Sequence, residues 1–148
     1  MTYTIFAVLY RRPGLTPAQF KSYYETTHVP LVREVTGSHF PTVYKRSYLP
    51  RAHIHGQSGI DDTNADTDAE ADTSNTAYPN TTTLAGSPSE FQFDVITEMV
   101  FEDETHFRAF QVAIDKNNDR VKADEAVLFD TSKINVAKID GPFFASNE

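Results

Sequence analysis

Hydrophobic and polar positions alternate along TYTIFAVLY, Thr2 to Tyr10. Ile5, Ala7 and Leu9 face one way; Phe6, Val8 and Tyr10 face the other. Period two among β-branched and aromatic residues predicts a strand, and two apolar faces predict a central one. Arg11-Arg12-Pro13-Gly14 punctuates it. The period then lengthens: Phe20, Tyr24, Thr27, His28, Leu31 and Val35 form one stripe of a helix. Thr16 is the expected N-cap, Pro17 suits the first helical position, and Gln19 closes a capping box. Pro30 has no N–H and its ring presses on the carbonyl of Thr26, so a kink or break is expected at Thr27 to Val29. Gly37 ends the segment.

A second strand is predicted over Pro41 to Leu49, with Tyr44, Arg46 and Tyr48 on one face and Val43 and Leu49 on the other. From Pro50 to Glu90 no period survives. Inside a compact domain such a run signals a lid, a binding loop or disorder. Ile60 to Thr76 has the composition of a disordered segment. Its flanks, with His53, His55, Tyr78 and Leu84, are expected to pack. Alternation returns over Phe91 to Phe101, where Phe93, Val95, Thr97, Met99 and Phe101 oppose Asp94, Ile96, Glu98 and Val100. A helix follows, capped by Asp103 and striped by Phe107, Phe110 and Ile114. After a polar link, Ala123 to Asp130 reads as one more helical turn, and Ser132 to Asp140 as the last strand.

This order predicts an α+β, ferredoxin-like βαββαβ domain over residues 1–148, with a four-stranded antiparallel sheet and an acidic insertion at about 52–89. One sheet face is left without helices yet carries large apolar side chains. Burial against a second copy is the expected remedy, so a homodimer is predicted.

Composition narrows the function classes. The chain has 148 residues, 39% of them hydrophobic, which suits one globular domain. Cysteine is absent, which removes disulfides and thiolate chemistry and favours a cytoplasmic home. No apolar run approaches the roughly 18 residues of a membrane helix. The apolar N-terminus alternates and lacks a basic leader, so it reads as a strand and not as a signal peptide. The net charge of −8 argues against nucleic acid and anionic membranes as partners. Six carboxylates fall between Asp61 and Asp72, so the charge describes an appendage more than a binding surface.

No phosphate loop, dinucleotide fingerprint, nucleophile elbow or zinc helix is present. Five histidines, the tyrosines and a few carboxylates remain. His28 is either a core histidine bonded to a carbonyl freed by Pro30 or a proton-transfer group at a pocket wall. Tyr24, one turn earlier, either packs or orients a substrate. Asp94 interrupts a nearly continuous apolar strand, so it is solvated or paired; if buried, its proton affinity rises. Tyr44, Arg46 and Tyr48 form either a plain half-exposed strand or a wall for an aromatic anion, since Arg grips carboxylates and Tyr donates to carbonyls. His53 and His55 are spaced as two metal ligands, but no third ligand matches and no metal is expected. His39 is a turn or pocket-rim residue, and His106 a surface one.

Tyr23-Tyr24-Glu25-Thr26-Thr27-His28-Val29-Pro30-Leu31-Val32 resembles the His-x-Pro-Leu-Val signature of EthD-domain proteins. The preceding LYRRPGLTPAQF, the FPTVYKRSYL strand, FDVITEMVFEDETHFRAF and the terminal DEAVLFD are similar to fungal members. The resemblance implies a dimeric α+β barrel with a pocket between sheet and helices in each subunit. It also implies kinship with cofactor-free enzymes of aromatic polyketide pathways. On that footing His28 and Asp94 are the expected catalytic pair. Tyr24, Tyr44, Arg46, His39, His53 and His55 are expected to bind the substrate. The expected activity is a cofactor-independent lyase or cyclase reaction: decarboxylation, dehydration or aldol-type ring closure on an aromatic polyketide or polyphenol. The alternatives are a non-catalytic binding dimer and a cofactor-free anthrone-type monooxygenase.

Overall fold

The computed structural model describes residues 1–52 and 79–147. The acidic stretch, His53, His55 and Tyr78 lie outside the described residues. Strand β1 (Tyr3–Leu9) leads to helix α1 (Pro17–Tyr23), a π-helical turn (Tyr24–His28) and α2 (Val29–Thr36). Then come β2 (Val43–Tyr48), β3 (Arg51–Ala52), β4 (Asn80–Thr81) and β5 (Val95–Phe101). Helices α3 (Glu104–Lys116) and α4 (Asn118–Leu128) precede β6 (Asn135–Ile139). The main sheet has the order β2-β5-β1-β6 with every neighbour antiparallel, which is the ferredoxin-like arrangement. β3 and β4 form a separate two-stranded ribbon.

The capping box stands as expected: Gln19 N–H donates to Thr16 Oγ1 and Thr16 N–H to Gln19 Oε1, both at 2.9 Å. The expected break at Pro30 is instead a widening. The backbone stays helical through His28 and Val29, and the N–H of Val29 reaches the carbonyl of Tyr24, five residues back. Because Pro30 cannot donate to Thr26, the chain takes one extra residue in that turn. The inward stripe slips by one place as a result. Phe20, Tyr24 and His28 are buried as the period predicts, but Val32 and Thr36 follow them inward, and Leu31 and Val35 are only half-buried.

On the helix side of the sheet, Ala7, Leu9 and Val95 pack with Phe20, Tyr24, Val29, Leu128 and Phe129. A second cluster joins Val32, Phe101 and Phe110. Complete burial of a side chain such as Phe20 or Phe101 stabilises by about 1.5–3 kcal/mol. The other sheet face carries Phe6, Val8 and Ile96 half-buried and Val43 exposed, with a shallow groove lined by Phe6, Val8 and residues 134–137.

Element bounds and one packing expectation differ from the sequence reading. β5 begins at Val95, and Phe91 to Asp94 approach it outside any strand. The polar link after α3 is itself the start of the 11-residue α4, because Asn117 closes one helix and opens the next. Leu84 does not pack; it is almost fully exposed.

Candidate functional site

The site begins at the end of β1. Arg12 N–H donates to the carbonyl of Leu128 and Asp130 N–H to that of Tyr10, both at 2.9 Å. These bonds lay the exit of α4 against the strand and swing Asp124, one turn earlier on α4, under the π-turn. His28 Nδ1 meets Asp124 Oδ2 at 2.5 Å, and both side chains are buried. A carboxylate only accepts, so this contact places the proton of a neutral His28 on Nδ1. Nε2 has no hydrogen-bond partner among the described residues. The second oxygen of Asp124 accepts from Tyr23 Oη at 2.8 Å. Burial pushes the carboxyl of Asp124 up, but hydrogen bonds from His28 and Tyr23 outweigh it and leave the pKa below the ordinary value. Burial and the bond to Asp124 push the Tyr23 hydroxyl up to about 12.

The rings of Tyr24 and Phe129 stand edge-on to the imidazole at centroid distances of 4.9 and 5.5 Å. Beyond Tyr24 the sheet contributes a polar wall. Tyr24 Oη lies 2.8 Å from Thr97 Oγ1 and 3.1 Å from Tyr44 Oη. Arg46 donates through Nε and Nη2 to the two oxygens of Glu25 at 2.9 and 2.6 Å, and through Nη1 to the carbonyl of Tyr44. Tyr48 Oη donates to Glu25 Oε2 at 2.5 Å. The bonds from Arg46 hold Glu25 below its ordinary pKa, against the pull of burial. Burial raises the pKa values of Tyr24, Tyr44 and Tyr48, so these hydroxyls serve as neutral donors and acceptors, not as bases.

His28, Tyr24, Tyr44 and Arg46 are thus brought into one continuous cluster, and Tyr44, Arg46 and Tyr48 share the helix-side face as their alternation predicts. Arg46 already holds an internal carboxylate in its fork. Asp94 is not in this cluster. Its Oδ1 accepts from Arg11 Nε at 3.1 Å and from Arg51 Nε and Nη2 at 3.2 and 2.9 Å, and its Oδ2 from the Arg11 amide at 2.9 Å. Asp94 is therefore the anion of a buried clasp joining β1, β3 and the approach to β5, and the carboxylate that partners His28 is Asp124. His39 is exposed on the short turn before β2. His106 is not merely superficial: its Nδ1 accepts from the Glu102 amide at 3.1 Å, while Nε2 sits 3.2 Å from the carbonyls of His39 and Phe40. No group of three or more His, Asp or Glu side chains among the described residues is placed to share a metal ion.

The sequence reading missed Asp124, Tyr23, Glu25 and Phe129. Asp124 and Phe129 do lie within DEAVLFD, and Tyr23 and Glu25 flank Tyr24 in the helix motif; the signal was present as motif, without the pairing.

A family model described as the EthD domain matches residues 12–132. The chain belongs to the EthD domain family. The matched span holds both ends of the cluster, from the Tyr23–His28 turn of this EthD domain to Asp124. A crystal structure of an EthD-like protein from Ralstonia eutropha JMP134 is similar at 14% sequence identity, over 93% of this chain and 87% of that one, with a TM-score of 0.49. No curated protein matches the chain. Among the described residues no helix is long and apolar enough to cross a membrane.

Proposed function

We propose that this EthD-domain chain is a cofactor-independent lyase or cyclase of the kind found in fungal aromatic polyketide pathways, working as a cytoplasmic homodimer. Its substrate is an aromatic polyketide or polyphenolic intermediate. The observation that carries the reading is the buried 2.5 Å contact between His28 Nδ1 and Asp124, which leaves Nε2 as the nitrogen for moving protons. Asp124 takes the partner role that the sequence suggested for Asp94. In a dehydration, Nε2 removes a proton from carbon next to a carbonyl. The resulting imidazolium, stabilised by Asp124, returns that proton to the departing hydroxyl, and water leaves. In a decarboxylation the imidazolium delivers its proton to the ring carbon as carbon dioxide departs, and solvent reprotonates the base. Tyr24, Tyr44 and the Glu25-bound Arg46 form the polar wall against which phenol groups lie, and Phe129 the apolar one. Self-association would bury the apolar outer face around Phe6, Val8 and Ile96.

The test is incubation with a panel of hydroxylated aromatic acids and β-polyketone analogues in deuterated water, with products read by mass spectrometry. His28→Gln is expected to lower turnover by at least about 100-fold, the usual range for a general acid–base group. Turnover unchanged in a folded His28→Gln protein sinks the assignment.

A further inference from the structure

Asp124 is a buried anion with two oxygens and two side-chain donors: His28 on Oδ2 and Tyr23 on Oδ1. Tyr23 immediately precedes the π-turn and His28 closes it, so the widened helix reaches both oxygens of one carboxylate. Tyr23 makes no other side-chain hydrogen bond among the described residues, and its ring packs at the margin of the core. Its hydroxyl thus has one evident task. We infer that Tyr23 is a positioning residue, whose hydroxyl restrains the orientation and basicity of Asp124 and through it the protonation of His28. The inference rests on the proposed role of His28 and adds a third member to that pair. Two hydrogen bonds to different oxygens prevent the carboxylate from rotating. Sharing its charge with Tyr23 also makes Asp124 a weaker acceptor for the imidazole than it would be alone. The other ionisable groups bearing on the pair are Tyr24, packed on the imidazole, and Glu125 on α4, which interacts with His28 and is tempered by Lys122 4.0 Å away.

Tyr23→Phe removes the hydroxyl and keeps the ring, so packing is retained. The measurement is a pH titration of the full chain labelled with ¹⁵N at histidine, followed by long-range proton–nitrogen NMR. His28→Gln identifies the His28 signals, and Asp124→Asn sets the scale. In the parent, the neutral ring should carry its proton on Nδ1. In Tyr23→Phe, the His28 midpoint should move upward by about half a pH unit, because Asp124 with one donor is the more basic partner. An unchanged or lowered midpoint overturns the inference. If Asp124→Asn alters the His28 tautomer while Tyr23→Phe does nothing, the His28–Asp124 pair stands and the role of Tyr23 falls. If His28→Gln leaves turnover intact, the proposed chemistry falls whatever the titration shows.

Discussion

Two buried aspartates tie distant parts of this chain together, and they do so with opposite chemistry. Asp94 is held by two guanidinium groups, Arg11 and Arg51, and by a backbone amide. Asp124 is held by an imidazole and a phenol. Arginine stays charged at any pH a folded protein meets, so the two cations of the Asp94 clasp are fixed charges. Histidine is the residue type that can change charge near neutrality, and the Asp124 pair is the one built on an imidazole. Burial alone therefore does not separate an acid held by fixed cations from one paired with an imidazole; the partner does. In the sequence Asp94 stands alone between Phe93 and Val95, and Asp124 is one of the adjacent acids Asp124-Glu125.

Breaking the clasp should have the largest effect on stability. Asp94→Ala leaves two cations facing each other in a low-dielectric site and is expected to destabilise by about 3–5 kcal/mol, read from urea unfolding. Loss near zero would mean that Arg11 and Arg51 find water or other acceptors, and the two aspartates would then differ less than their partners imply. Asp124→Asn should destabilise by only about 1–2 kcal/mol, since the amide still accepts a hydrogen bond and no permanent charge is stranded.

The same substitution sharpens the comparison against pH. Asp124 and Glu25 both have folded-state pKa values below their ordinary ones of 3.8 and 4.5. For a depressed carboxyl, the unfolded chain binds protons first. The stabilisation is therefore complete above the ordinary values and is lost as pH falls through the lower folded ones. Glu125 runs the other way: burial raises its pKa, so it disfavours the fold when ionised and ceases to as acid protonates it. Melting temperature should fall as pH drops below about 4 in the parent, where unperturbed carboxyls titrate. The fall should be shallower in Asp124→Asn, with Glu25 and Asp130, whose carboxyl is lowered by its bonds from Ser132, contributing to what remains. An identical slope in the variant would deny Asp124 its place in the acid profile.

The smallest effect sets the floor. His106 ties the start of α3 to the turn before β2 through hydrogen bonds, with no ion pair among the described residues. His106→Ala should lower stability by about 1 kcal/mol in thermal unfolding and leave the His28–Asp124 contact untouched.

The elements were legible in the sequence wherever the decisive interactions are local. The capping box spans Thr16 to Gln19, and strand alternation is a property of adjacent residues; both stand as read. The pairing of Tyr44, Arg46 and Tyr48 on one face needed only period two. The π-turn was half legible. Pro30 announces a missing donor, but the choice between a break and a widened turn depends on whether tertiary packing keeps both halves of the helix on the same core. That choice moved the buried positions from Leu31 and Val35 to Val32 and Thr36. The partner of His28 was not legible at all as a pairing, because Asp124 lies 96 residues away and reaches it only through the docking of α4 onto the end of β1. Period and composition determined that an imidazole faces inward on the first helix. Which carboxylate meets it was a matter of long-range geometry, and geometry assigned Asp94 to the arginines and Asp124 to His28.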